Sequence, residues 1–216
     1  RKQYLGIGGI TLKETLAPIH YVQHRRIQIQ ENLEHFLANI FKKDAFLASL
    51  YRDFGAPSED VDLGIQIDHE NIHQWLESHV ISHEKRMARL IYTILQETTL
   101  EAVHLAHKEY GEQLGSAFQK EQRPFTGEGL YKVLQSILLD GMPCDKVNHM
   151  GDFSEQHLVF TSTKDLHGPY FQEAGLPSSL AQSLRGAFIE GFLKNLGAYT
   201  YHYTHTEACI LHKILW

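Results

Sequence analysis

Two cysteines in 216 residues, Cys144 and Cys209, are too few for a disulfide framework, so a reducing, cytoplasmic compartment is the simpler expectation. Positive charge is also scarce. Lys and Arg number 20 against 26 Asp and Glu, the net charge is -6, and no basic run exceeds Arg25-Arg26 or Lys42-Lys43. Nucleic acid is therefore not an expected partner. No stretch of about 18 apolar residues exists, and Arg1-Lys2-Gln3-Tyr4 leads into no apolar targeting core, which argues against a membrane span or a secretory signal. The chain has no G-x-S-x-G elbow and no P-loop, and Gly6-Ile7-Gly8-Gly9 lacks the preceding strand that a dinucleotide-binding glycine loop needs. There is no internal repeat and no low-complexity tract. What is present describes a folded globular chain: 43% hydrophobic residues, 21% charged, 6 Pro and 16 Gly, with enough length to bury a core. The unusual abundance is histidine, with 15.

The first quarter reads as short helices, around Leu12–Leu16, Ile27–Phe41 and Asp44–Phe54, the last ended by Gly55-Ala56-Pro57. Asp68 is placed to cap a long helix running to Tyr110, with Gly111 just past its end. Met87, Leu90, Ile91, Ile94, Leu95, Thr98, Ala102 and Leu105 give that helix one apolar stripe. A further amphipathic helix carries Leu130, Val133, Leu134, Ile137 and Leu138 and is stopped by Gly141 and Pro143. The period then shortens. Residues 146–150 and 157–163 read as strands joined at Gly151-Asp152-Phe153-Ser154. A helix opens at Pro177-Ser178-Ser179, and Tyr199 to Trp216 reads as one strand. The expected class is α+β: residues 1–64 a helical extension, residues 65–216 a domain in α-β-β-α-β order over a small antiparallel sheet.

Several histidines are placed to do chemistry. His69-Glu70-Asn71-Ile72-His73 matches H-E-x-x-H, which binds zinc on a helix, although the extension that marks the larger zinc-protease class is absent. On an unbroken helix from Asp68, His69, His73, Leu76, Val80, His83 and Met87 share a face; these imidazoles are either satisfied core groups or the wall of a metal, haem or polar-ligand site. His104 and His107 lie off the stripe and read as solvated. On a continuous final strand, Tyr199, Tyr201, Tyr203, His205, Glu207 and Cys209 point one way, either lining a cavity or packing a helix. Cys144 is a second candidate thiol, with an inert buried thiol as the alternative.

Four strings, Glu109–Gly115, His157–Thr163, His167-Gly168-Pro169-Tyr170-Phe171 and Phe188-Ile189-Glu190-Gly191-Phe192, together with the order of elements, resemble the family of L-2-amino-thiazoline-4-carboxylic acid hydrolases. More distantly, the run from about Leu95 to Trp216 resembles the 4-vinyl reductase and haem-NO-binding domains. The resemblance implies a small-molecule pocket between helices and sheet and hydrolysis of a small cyclic C–N compound. Family members tend to carry a cysteine shortly before the histidine that His167 matches; Lys164-Asp165 stands there instead. The expected catalytic groups are thus Asp165 with His167, and Cys209. The expected ligand-binding residues are His73, His83, Cys144, Tyr170, Tyr201, Tyr203, His205 and Glu207. No metal ligands are assigned. A haem or divalent-metal sensor is the alternative, with an axial histidine among His69, His73, His83 and His104, and a dimerising module built on the N-terminal helices is a third reading.

Overall fold

Buried Ile27, Glu31, Glu34 and Ala38, four, three and four residues apart, mark the inward face of the first long helix, α1 (Pro18–Ile40). Pro18 sits in its first turn, where no intrahelical donor is required, and Lys42 at φ 54 turns the chain after it. In the computed structural model, which describes residues 16–119 and 126–216, α2 (Asp44–Phe54), the one-turn α3 (Leu63–Gln66), α4 (Ile72–Leu95), α5 (Leu100–Gln119) and α6 (Gly127–Ile137) follow. Then come β1 (Asn148–Phe153), β2 (His157–Ser162), α7 (Gly168–Glu173), α8 (Ser178–Lys194), β3 (Thr200–His205) and β4 (Ile210–Leu215). The class is α+β, as expected. The arm at Gly6–Ile10 and most of the expected helix at Leu12–Leu16 lie outside the described residues. Among the described residues, no helix is long and apolar enough to cross a membrane.

The long helix expected from Asp68 to Tyr110 is two helices. Asp68 closes a separate turn, its carboxylate accepting from the Glu70 N–H at 2.9 Å and from Asn71 Nδ2 at 3.1 Å, and α4 begins only at Ile72. At the other end the Gln96 and Glu97 N–H groups tighten onto the Thr93 and Ile94 carbonyls. Thr99 Oγ1 then caps α5 by accepting from the Ala102 N–H at 3.3 Å. The break resets the helical phase. Leu105, read as part of the stripe, is 56% exposed, whereas His107, read as solvated, is 4% exposed. Gly111 lies inside α5 rather than beyond it.

The sheet runs β1-β2-β4-β3, antiparallel throughout. One face is buried under α6 and α8, where Leu158, Phe160, Tyr201 and Ile214 join Leu130, Leu134, Phe188 and Phe192. The other face carries exposed His149, Thr200, His202 and Lys213. The single strand expected over 199–214 is a hairpin instead. Thr206 Oγ1 accepts from the Ala208 N–H (3.3 Å) and the Cys209 N–H (3.0 Å), and Thr206 Oγ1–H donates to the Cys209 carbonyl at 2.8 Å. A β-branched side chain that favours strands therefore reverses this one. α1 and α2 share a core with α4, α7 and α8 through Leu33, Leu37, Leu47, Leu50, Leu90, Ile91, Phe171 and Leu184. Ile29 of α1 reaches the sheet-side core.

α5 and α8 meet at backbone contact distance because glycines face each other. A β-carbon on Gly111 would run into the Phe188 carbonyl, one on Gly115 into the Phe192 carbonyl and one on Gly191 into the Lys108 carbonyl. These obstacles are backbone and cannot swing aside. Gly191→Ala should therefore destabilise the chain by about 3 kcal/mol in urea unfolding, the upper range for overpacking, while exposed Ser116→Ala on α5 should change it by less than about 0.5 kcal/mol. Equal stabilities for the two variants would contradict this crossing.

Candidate functional site

α4 faces the middle of the molecule with His83 and Glu84, both buried. Together with Leu33 of α1, His107 of α5, His167 at the start of α7, and Ala181, Leu184 and Arg185 of α8, they line a cavity of about 60 Å³, room for a few waters or a small polar molecule. Gln30 and His167 keep partial exposure, so this part of the wall meets solvent.

Two carboxylates hold the His167 ring. Its Nδ1 lies 2.8 Å from Glu84 Oε1 and its Nε2 lies 3.5 Å from Asp140 Oδ1. Burial alone would depress this imidazole, but the Glu84 charge and the contacts with Asp140 and Glu84 outweigh it and push it up to about 10. His167 is thus a cation at neutral pH. Burial opposes the charge on Asp140, but Arg185 and His167 hold its carboxyl well below the usual range, with Arg185 Nη2 donating to Oδ2 at 2.7 Å. Glu84 is likewise lowered against its burial, chiefly by His167. Among the described residues the buried Nε2 of His167 makes no hydrogen bond; its nearest acceptor is Asp140 Oδ1 at 3.5 Å, a long charge contact.

A directional chain of hydrogen bonds reaches Asp140 from the sheet. Tyr201 O–H donates to His212 Nδ1 at 2.8 Å, and His212 Nε2–H donates to Ser162 Oγ at 3.0 Å. Ser162 Oγ–H donates to Asn148 Oδ1, and Asn148 Nδ2 to Asp140 Oδ2, each at 2.5 Å. The tautomers follow from the chain. His212 is fully buried, stacked on Phe160 with ring centroids 4.3 Å apart, and burial followed by the Arg185 charge pushes it down to about 3. It is a neutral link.

On the other side of α4, His83 Nδ1 bonds Glu34 Oε1 at 2.6 Å, and Arg86, wholly buried, donates to Glu34 Oε2 at 2.9 Å, to Glu31 Oε1 at 3.0 Å and to the Gly55 carbonyl at 2.7 Å. His107 Nδ1–H donates to the Val103 carbonyl at 2.8 Å, which leaves Nε2 as an acceptor beside the cavity. Burial pushes His107 down to about 4.

Of the residues expected from the sequence, the structure brings His167 and His83 to the cavity. Asp165 is exposed, and its Oδ1 accepts from the His167 N–H (3.1 Å) and the Gly168 N–H (2.9 Å); it caps α7, and the carboxylates at the imidazole are Glu84 and Asp140 instead. Cys209 and Glu207 fall in the β3–β4 turn, Cys209 with Sγ 3.4 Å from Thr206 Oγ1, and His205 is exposed at the hairpin end, edge-on to Tyr203 at 5.8 Å. The turn removes the convergence that an unbroken strand would have produced. Tyr201 is buried in the hydrogen-bond chain with half-buried Tyr203 stacked on it, and Tyr170 lines a separate shallow groove with Phe54 and Arg89. Cys144 is exposed on the 3-10 turn Pro143–Asp145. His73 is exposed on the first turn of α4 against the His20 ring.

The H-E-x-x-H geometry does not form. His69 precedes α4, and its Nε2 bonds the Gly64 carbonyl at 2.9 Å. Among the described residues, no group of three or more His, Cys, Asp or Glu side chains is arranged to hold a metal ion.

Glu84, Asp140, Arg185, His107, Ser162, Asn148 and His212 were missed from the sequence. The available signal was charge inside apolar periods, Glu84 and Arg86 in α4 and Arg185 in α8. Comparison with family models, with curated proteins and with solved structures returned no significant match.

Since His107 is lowered from 6.5 to about 4 on folding, the unfolded chain binds its proton first. The stability this group contributes is complete above pH 6.5 and is lost as pH falls through 4. His107→Gln should make the fall in unfolding free energy across that window shallower by about 1 kcal/mol per pH unit, measured by urea titration at several pH values. An unchanged slope would contradict the neutral, buried assignment.

Proposed function

We propose that the chain is a small-molecule-binding domain whose ligand occupies the cavity between α1, α4, α5, α7 and α8. The observation that carries this reading is the Nε2–H of His167: among the described residues, a cationic donor buried in the cavity wall whose nearest acceptor is the long 3.5 Å ion-pair contact with Asp140, with no hydrogen bond made. An unmet buried donor is costly unless something fills its bond. Arg185 spends only Nη2 on Asp140 and lines the same wall. His107, whose Nδ1 is spent on the Val103 carbonyl, lines the same cavity and offers Nε2 as an acceptor.

A compact ligand with an anionic or carbonyl group toward His167 and Arg185, and a donor toward His107, suits the site. The small cyclic C–N carboxylates implied by the resemblance to the 2-amino-thiazoline-4-carboxylic acid hydrolases have this character. Hydrolysis in the cavity would use water as the nucleophile, because neither Cys144 nor Cys209 lines it. His107 Nε2 would accept from that water, and the His167 and Arg185 cations would polarise the ligand.

The test is isothermal titration of the full chain with 2-amino-thiazoline-4-carboxylate, alongside Ala181→Leu, which fills the cavity from α8. Wild type should bind, and the filled variant should lose at least about tenfold in affinity, roughly 1.4 kcal/mol, with its circular dichroism unchanged. Equal binding by both proteins, or none by wild type, would sink the assignment.

A further inference from the structure

We propose that Ser183 and His104 form an acyl-transfer dyad, separate from the cavity, in which Ser183 Oγ is acylated by small activated esters. The two side chains meet across the α5–α8 crossing with His104 Nε2 2.6 Å from Ser183 Oγ. His104 Nδ1–H donates to the Leu100 carbonyl at 3.1 Å, which fixes the tautomer and leaves Nε2 as the base facing the hydroxyl. Nucleophile, base and orienting acceptor are thus in order, with a backbone carbonyl in the orienting role.

Ser183 differs from the other helical serines whose bonds are seen. Ser49, Ser78, Ser116 and Ser136 each donate back to a carbonyl three or four residues earlier in their own helix, to Phe46, Trp75, Glu112 and Val133. Ser183 gives its proton to an imidazole on another helix. The glycine contacts that lock α5 against α8 hold the pair rigidly. Both groups are half-buried and open onto a surface groove of about 500 Å³. Gly186 and Ala187 keep its floor low, Leu105 and Tyr203 give it apolar walls, and Lys108 stands one turn beyond His104. The Lys108 ammonium is the cation among the groove's lining residues; it is paired with Glu190 by an exposed contact of 3.3 Å, so a developing oxyanion would compete with that carboxylate for it. Leu105 and Tyr203 beside Lys108 and the Glu101 and Glu190 carboxylates favour a small uncharged ester with a flat, apolar acyl or leaving group.

In the forward step Ser183 Oγ bonds to the carbonyl carbon as its proton passes to His104 Nε2. The bond from that carbon to the alcohol oxygen breaks with its electron pair, and the departing oxygen takes the proton from Nε2. Water then attacks the acyl carbon, gives its proton through Nε2 to Ser183 Oγ, and the acid is released.

The experiment treats the full chain with p-nitrophenyl acetate and follows p-nitrophenolate release, intact mass and peptide mapping. One acetyl per chain should appear on Ser183. Ser183→Ala should abolish it, and His104→Gln should slow it about 100-fold, the scale of a lost general base. Ser183→Cys should keep acyl transfer at this position and serves if the alanine variant does not fold. Acetylation absent from Ser183, or equally fast in His104→Gln, would overturn the proposal. The cavity reading would stand in either case, since no residue is shared.

Discussion

Ions taken out of water must be paired almost completely, and α4 is where this chain meets that requirement. Arg86 has no exposed surface and spans Glu31 and Glu34 of α1 while donating to the end of α2 through the Gly55 carbonyl. Its neighbour Glu84 points the other way and holds His167 at the entrance to α7. Removing one partner from such a pair leaves an uncompensated charge, a loss of about 3–5 kcal/mol. The spacing of these two charged side chains on one helix therefore sets where α1, α2 and α7 can lie. The polar wall of the cavity is a by-product of the same pairing.

Asp140 is the second fixed point. It accepts from Arg185 on α8 and from Asn148 on β1, and it faces His167. The chain Tyr201, His212, Ser162, Asn148 ends on it, so the sheet's buried polar groups and the helix-borne cations share one carboxylate. Partly satisfied networks of this kind are expensive, whereas complete ones fix a single arrangement. Among the described residues of this network, Gln135 Nε2 and His167 Nε2 are left without a hydrogen bond, and the second, held only by the 3.5 Å contact with Asp140, borders the cavity where the ligand is proposed. α8 then serves two faces, with Ala181, Leu184 and Arg185 inward and Ser183, Gly186 and Ala187 toward the groove.

The helices α2, α6 and α8 and the second half of α1 were legible because each depends on contacts three and four residues apart and on local signals such as Gly55 after α2 and Pro177 before α8; α1 begins at Pro18, ahead of the expected Ile27. His83 was legible as a buried stripe histidine, and His167 through the resemblance. Two departures, the helix expected from Asp68 to Tyr110 and the single last strand, share one cause: a continuous pattern runs through a local break, whereas Asp165 departs because its carboxylate caps α7. Thr99 restarts α5 out of phase, which buries His107 and exposes Leu105. Thr206 folds the last strand back, which brings His212 beside Tyr201 and leaves Glu207 and Cys209 in a turn.

Sequence by itself determined the α+β class, the shortage of thiols and positive charge, and the placement of most helices, because these follow from composition and from interactions within a few residues. Tertiary structure alone decided which charges pair. Glu84 meets a histidine 83 positions away, and Asp140 an arginine 45 positions away. Those pairings draw their free energy from charge attraction and hydrogen bonds that outweigh the cost of desolvation at a point where several elements converge, and no local pattern records that convergence.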